Sequence, residues 1–182
     1  MKKLVFMLAA AVAVVSVQAA SVNWTCTNVK DGSGNPISGV AYFINAATLS
    51  QSDFKALNGA AAFNTALSGM YNYTPATAGK YTIASTEAVE NSALGLADAT
   101  AYNVYLAVFD TTTITDSSKY YLTDVLELTT FSGTNTQQIK FGSQSTASQA
   151  AGAWTSVNVP EPTSGLLMLV GLAGLALRRK RA

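Results

Sequence analysis

Ala101-Tyr102-Asn103-Val104-Tyr105-Leu106-Ala107-Val108-Phe109-Asp110 is the stretch whose reading decides the fold. Tyr102, Val104, Leu106 and Val108 share one parity, while Tyr105, Ala107 and Phe109 share the other. Side chains alternate across a strand with a period of two, so the pattern predicts a β-strand. Apolar residues on both faces place it at the centre of a sheet that is covered on both sides. Downstream, Thr111–Ser118 is a polar turn and Lys119–Thr130 the next strand, whose even face carries Tyr120, Leu122, Leu126 and Leu128, interrupted by Asp124. Gly133–Thr136 turns the chain again before a strand at Gln137–Phe141. Ser143–Gly152 is polar and of low complexity, and Trp154–Val159 reads either as a last strand or as the start of a tether.

Upstream, Ser21–Val29 predicts a first strand, with Val22, Trp24 and Cys26 on one face and Asn23, Thr25 and Thr27 on the other. Asp31-Gly32-Ser33-Gly34-Asn35-Pro36 clusters the residues that tolerate positive φ or pre-set a bend, and so reads as a turn. Gly39–Asn45 follows as a second strand, and the two are expected to pair as a hairpin. Thr48–Leu67 differs: Ser50 and Asp53 sit in a capping-box spacing, and Phe54, Leu57 and Ala61 fall at helical intervals. Gly59 weakens the middle, so one or two short helices are expected. Gly69–Gly79 is a connector, Lys80–Ser85 a short strand, and Thr86–Ala99 is ambiguous. The sum is a mainly β ectodomain, a β-sandwich or jelly-roll-like fold with a short helical insertion and no internal repeat.

The two ends read differently. Met1-Lys2-Lys3 and the apolar Leu4–Val17 form a signal peptide over residues 1–19. Val17-Gln18-Ala19 offers small residues for signal peptidase, with cleavage after Ala19 and Ala20 as the alternative. Asn23-Trp24-Thr25 before Cys26 is no lipobox. At the other end Pro160-Glu161-Pro162 precedes an apolar run, Gly165–Leu177, closed by the basic stop Arg178, Arg179, Lys180 and Arg181. A basic cluster of this kind stays on the cytoplasmic side of a membrane and halts export. As a helix the 13-residue run spans about 20 Å at 1.5 Å per residue, against a hydrocarbon core near 30 Å. Snorkelling of the basic residues and local thinning close part of that gap. A transient anchor and a permanent single-pass anchor both remain open on length alone.

Residues 159–182 resemble the PEP-CTERM sorting signal of Gram-negative bacteria, on the tripeptide Pro160–Pro162, the apolar helix 165–177 and the basic stop 178–181. The resemblance covers only this tail. It implies handling by exosortase, a membrane protease-transpeptidase that cuts close to the tripeptide and transfers or releases the remainder at the cell surface. It also implies co-occurrence with exopolysaccharide production. The two prolines keep this stretch extended and out of helix, which suits a protease substrate. The chain thus divides into a signal peptide (1–19), a β-rich ectodomain (20–158) and a sorting tail (159–182).

Composition excludes several classes. Between Ala20 and Pro162 lie five lysines, no arginine and all ten carboxylates, a formal charge of −5. Such a region is a poor partner for nucleic acid, which needs phosphate-neutralising Lys and Arg. The same 143 residues hold 20 Thr and 15 Ser, uncharged hydrogen-bonding groups that suit a polysaccharide-rich exterior and β-structure alike. The single cysteine cannot form an internal disulfide, and Cys26 reads as a small buried hydrophobe on the first strand rather than a nucleophile. The chain has no histidine, which removes Ser-His-Asp and Cys-His catalysis and His-ligated zinc.

The remaining candidates are weaker. Asp124 is a candidate metal or sugar ligand, or the mark of a bulge or edge. Asp110 and Asp116 flank the turn before it, so a calcium cluster is conceivable, though the spacing fits no loop motif. Glu87 and Glu90 are candidate paired carboxylates of a glycosidase, or a solvated face. Trp24, Tyr71, Tyr73, Tyr81, Tyr120, Tyr121 and Trp154 form either a sugar-stacking platform or core and rim. No catalytic residue, metal site or cofactor is assigned. The expectation is a non-enzymatic surface or matrix protein, exported across the inner membrane, transiently anchored, and processed by signal peptidase and an exosortase-like enzyme. A carbohydrate-binding module or adhesin using aromatics and calcium is the alternative, and a glycoside hydrolase ranks below it.

Overall fold

In a computed structural model, residues 19–31, 33–143 and 154–159 are described. Residues 1–18 of the expected signal peptide (1–19), the motif Pro160–Pro162, the apolar run 165–177 and the expected basic stop 178–181 lie outside the described residues. Along the described chain run β1 (Ser21–Thr27), β2 (Ala41–Asn45), α1 (Gln51–Ala56), α2 (Ala60–Ala66), β3 (Asn72–Tyr73), β4 (Val89–Glu90), β5 (Ala101–Phe109), β6 (Lys119–Leu122), β7 (Leu126–Thr129), β8 (Thr136–Ser143) and β9 (Thr155–Ser156). The domain is mainly β with two short helices, as its patterning predicts.

β5 takes the central place its two apolar faces demand. It pairs antiparallel with β2 on one side and with both β6 and β7 on the other. β3 extends this sheet beyond β2, and β9 extends it beyond β6. A smaller sheet, in the order β4-β1-β8, faces it. Val22, Trp24 and Cys26 of β1 and Ile139 of β8 share a core with Phe43, Val104, Leu106, Val108 and Leu128 of the large sheet. Trp24 and Phe43 meet across this space at 5.2 Å between ring centroids. The opposite face of β5 (Tyr105, Ala107, Phe109) packs on Phe54 of α1 and Phe63 of α2 in a second core. Both parities of β5 are therefore buried, each against a different layer.

The helices start as expected and join differently. Ser50 Oγ accepts from the Asp53 N–H at 3.1 Å and donates to the Asp53 carboxylate at 2.6 Å, closing the cap of α1. The first helix stops at Leu57, which is extended, and Gly59, at φ 81°, starts the second. A side chain is strained in that region of φ, and glycine is not. The break interrupts the helical face predicted through Phe54, Leu57 and Ala61: Ala61 is exposed, and Phe63 and Leu67 take the buried positions instead.

Three further expectations are corrected. β1 and β2 do not form a hairpin. The turn is present, since Asp31 Oδ1 accepts from the Ser33 and Asn35 N–H groups, both at 2.8 Å. The ladder beyond it shrinks to one bridge, Lys30 to Pro36, because Gly79 comes between the two segments, accepting from the Val29 N–H and donating to the Ile37 carbonyl. The chain then crosses to the other sheet, passing so close to β5 at Gly39 that any side chain there would strike the Phe109 carbonyl. β1 pairs instead with β8, in parallel, from Ser21↔Thr136 to Thr27↔Ser143. A parallel pair needs a long crossover, which here is the whole chain between β1 and β8.

Lys119–Thr130 is also not one uninterrupted strand. Ala107 pairs with Leu122 and Val104 with Leu126, so Tyr105 and Leu106 face three residues, Thr123–Val125. The extra residue makes a bulge and reverses the parity beyond it. Tyr120 and Leu122 consequently pack toward the helices, while Leu126 and Leu128 pack between the sheets. The single even face predicted from sequence is split between two cores. The segment expected as a strand at Lys80–Ser85 lies along β1 through the Tyr81–Cys26 and Ile83–Trp24 backbone hydrogen bonds, without an assigned strand.

Candidate functional site at the two ends of the domain

The expected signal-peptide junction and the start of the C-terminal tail are where the sequence concentrates candidate function, and the described residues include the domain side of each. At the first, Ala19 is exposed while Ala20 is only 1 % exposed. The Ala20 carbonyl accepts from the Asn91 N–H at 2.9 Å, and the Ser21 N–H donates to the Asn135 carbonyl at 3.2 Å. Ser21 Oγ and Thr136 Oγ1 are 2.8 Å apart. Integration into the fold therefore begins at Ala20. A polar cleft of about 200 Å³ surrounds Ala19, lined among others by Ser85, Thr86, Glu90 and Thr136.

At the second junction the chain is held up to the residue before Pro160. Thr155 and Ser156 pair with Tyr120 and Lys119 at the edge of the large sheet. Val157 is fully buried in the helix-side core. Its N–H donates to the Ser118 carbonyl and its carbonyl accepts from the Gly59 N–H, both at 2.9 Å. The Val159 N–H donates to Asn58 Oδ1 at 2.9 Å. Ala60, the next residue of the same junction between helices, donates its N–H to Asp116 Oδ1 at 2.7 Å. The Asn58-Gly59-Ala60 turn thus acts as a socket for the end of the domain. Trp154 secures the segment from its other side, with its indole N–H on the Lys30 carbonyl at 2.9 Å and its ring 6.1 Å from Tyr121.

Sequence reasoning missed Val157 and Asn58, and it read Asp116 as a candidate calcium ligand where the carboxylate instead holds the Ala60 N–H. The signal at Asn58-Gly59 was a turn dipeptide, read there only as a weak point in a helix.

The other candidates are dispersed through the fold. Cys26 is buried, and burial pushes its thiol up to about 12, far from a reactive thiolate. Asp110 accepts from the Lys119 N–H at 2.8 Å, as Asp116 does from Ala60, so both flanking carboxylates tie down backbone. Asp124 is exposed in the bulge. Among the described residues no group of three His, Cys, Asp or Glu side chains is close enough to hold a metal ion. Glu87 closes a 3₁₀ turn and Glu90 lies in β4. The Tyr71 and Tyr73 hydroxyls are pushed up, first by burial and further by the charge of Glu87.

The aromatic set divides. Trp24, Tyr81 and Tyr120 are buried, whereas Tyr71, Tyr73, Tyr121 and Trp154 are half-buried. Tyr71 meets Trp24 edge-on at 5.8 Å and, with Phe43, Asn45 and Met70, lines a cleft of about 340 Å³. The indole N–H of Trp24 has no acceptor among the described residues.

Against known protein families, residues 158–181 match the PEP-CTERM protein-sorting motif. The chain therefore carries a PEP-CTERM tail, and the match begins two residues inside the folded domain, at Asn158. No curated protein matches the chain. No solved structure matches it either.

Proposed function

We propose that this chain is an exported protein displayed at the cell surface or in the extracellular matrix, where its domain has a structural and non-enzymatic role. The observation that carries the reading is the sorting motif at residues 158–181, which starts at the last residues of a folded β domain. A PEP-CTERM tail implies export, a membrane-held C-terminus and processing by exosortase before display. The tail then has the role of an address, and the apolar run 165–177 that of a transient anchor. At the N-terminus, cleavage after Ala19 rather than Ala20 is supported by the burial of Ala20 and its hydrogen bond to Asn91. Signal peptidase acting there would leave the fold intact. We read the two facing sheets as a sandwich-type architecture, the parallel β1–β8 pair being foreign to an all-antiparallel jelly roll.

A non-enzymatic role is supported by where the carboxylates are used. Asp31, Asp53, Asp98, Asp110 and Asp116 each accept a hydrogen bond that shapes a turn, a cap or a loop. The test is complementation of a deletion strain, scored by matrix yield. The parent chain and the Glu87→Gln, Glu90→Gln and Asp124→Asn variants are expected to restore it equally. Failure of any one of these carboxylate variants, with its surface level unchanged, would turn the reading toward an enzyme.

Glycan binding is a second reading, favoured by the cleft that the half-buried Tyr71 lines. Aromatic faces stack on sugar rings. Loss of polysaccharide retention in Tyr71→Ala, with the fold intact, is its expected signature.

A further inference from the structure

We propose that Thr155–Val159 is a releasable clasp between the domain and its sorting signal, and that its release sets the rate at which the tail is cut. The proposal rests on the reading that the tail is processed by a membrane peptidase. Such an enzyme takes its substrate as an extended strand and uses the backbone on both sides of the scissile bond for recognition. The residues just upstream of Pro160 are already committed. The Val157 N–H and carbonyl are occupied by Ser118 and Gly59, the Val159 N–H by Asn58, and the Val157 side chain is inside the helix-side core. The matched motif itself begins at Asn158, within this held segment. A peptidase working at Pro160–Pro162 and the domain therefore compete for the same stretch of backbone.

The hold is built to yield. Among the described residues, β9 has two residues and pairs with β6, and the segment around it is anchored by the fully buried Val157 and the half-buried Trp154. Short edge segments with few buried contacts open at far lower cost than the whole domain unfolds. In the reaction itself, a nucleophile of the enzyme attacks a backbone carbonyl of the released tail. The amide C–N bond breaks, and the amine of the following residue takes a proton and leaves with the basic end. The acyl group then passes to water or to an acceptor amine or hydroxyl. The clasp acts before this sequence and takes no part in its bond changes.

Lys119 and Ser156 face each other next to the Ser118–Val157 hydrogen bond, a non-hydrogen-bonded antiparallel position whose spacing suits a disulfide. The experiment uses the full chain in inner membranes that also contain an exosortase, following tail loss by mass. The Lys119→Cys/Ser156→Cys variant, oxidised, is expected to lose its tail at least about tenfold more slowly than the parent, as expected when cleavage waits on local opening. Reduction should restore the parent rate. Val157→Ala is expected to be cut several-fold faster, with its melting curve checking that the domain still folds. Oxidised and parent chains cut at one rate would overturn the clasp, whatever Val157→Ala does. A parent chain that keeps its tail would overturn the processing reading, and the clasp with it.

Discussion

Phe54 is the residue on which the helical layer depends, and Phe54→Ala measures that layer directly. Its side chain is fully buried, with ring centroids 5.2 Å from Phe63, 5.1 Å from Tyr120, 6.3 Å from Tyr105 and 6.4 Å from Phe109. It therefore joins α1 to α2, β5 and β6 at one point. Truncating a buried phenylalanine costs about 3–5 kcal/mol through lost transfer energy and the cavity left behind. Aromatic pairs contribute roughly 0.5–1.5 kcal/mol each beyond area, but these four, three of them edge-to-face and the Phe109 pair tilted, share one ring, so they place the loss at the upper end rather than adding to it. Against a total stability of about 5–15 kcal/mol, the loss is a large fraction. For a domain of this size it corresponds to a fall in Tm on the order of 10 °C. Urea and thermal denaturation of the purified exported chain read it. Ala61→Ser serves as the control, expected within about 0.5 kcal/mol of the parent because Ala61 is exposed. A loss below about 1 kcal/mol in Phe54→Ala would refute the packing of the helices on the large sheet.

Deleting Asp124 should unfold the domain or lower its yield sharply, because removing the extra residue forces either Tyr120 and Leu122 or Leu126 and Leu128 onto the wrong face. Asp124→Ser, which keeps the count, should melt within about 0.5 kcal/mol of the parent, and equal melting of the two would contradict the bulge. Asp116→Ala should lower stability by roughly 0.5–2 kcal/mol in urea melts, since it removes the acceptor at the start of α2, whose own cap residue is Gly59. Alkaline pH should destabilise the fold. Burial raises the Cys26 thiol from 9.0 to about 12 and raises the hydroxyls of Tyr81 and Tyr105, so the unfolded chain loses these protons first. Stability is then full below about pH 9 and falls as pH climbs toward 12. Urea midpoints at pH 8 and pH 10.5 check this, with a smaller fall expected in Cys26→Ala and a flat profile counting against it.

Much of the fold is legible in local pattern. The double-faced 101–110 stretch predicts a central strand and becomes one, because a period of two needs no knowledge of partners. The inward set Val22, Trp24, Cys26 and the Ser50–Asp53 cap are legible for the same reason. Pairing is not. The turn at Asp31–Pro36 is real, yet the distant Gly79 takes the next ladder bonds and the passage at Gly39 carries the chain to another sheet. The β1–β8 partnership joins residues more than a hundred positions apart, which no local window contains. The bulge at Thr123–Val125 was visible only as a misplaced Asp124, and its effect on parity follows from a register that sequence does not state. At the candidate site, the sorting motif is legible because it is a linear signal read by another protein. The grip of Asn58 and Gly59 on Val157 and Val159 is not, because it exists only once the helix junction and the sheet edge are folded together.

The central claim is that residues 160–182 deliver the domain and are then removed. Intact mass of the protein recovered from the cell surface tests it most directly. The expected species begins at Ala20 and lacks Arg178, Arg179, Lys180 and Arg181, with any added mass on its new C-terminal end. A surface species that retains the four basic residues contradicts the account.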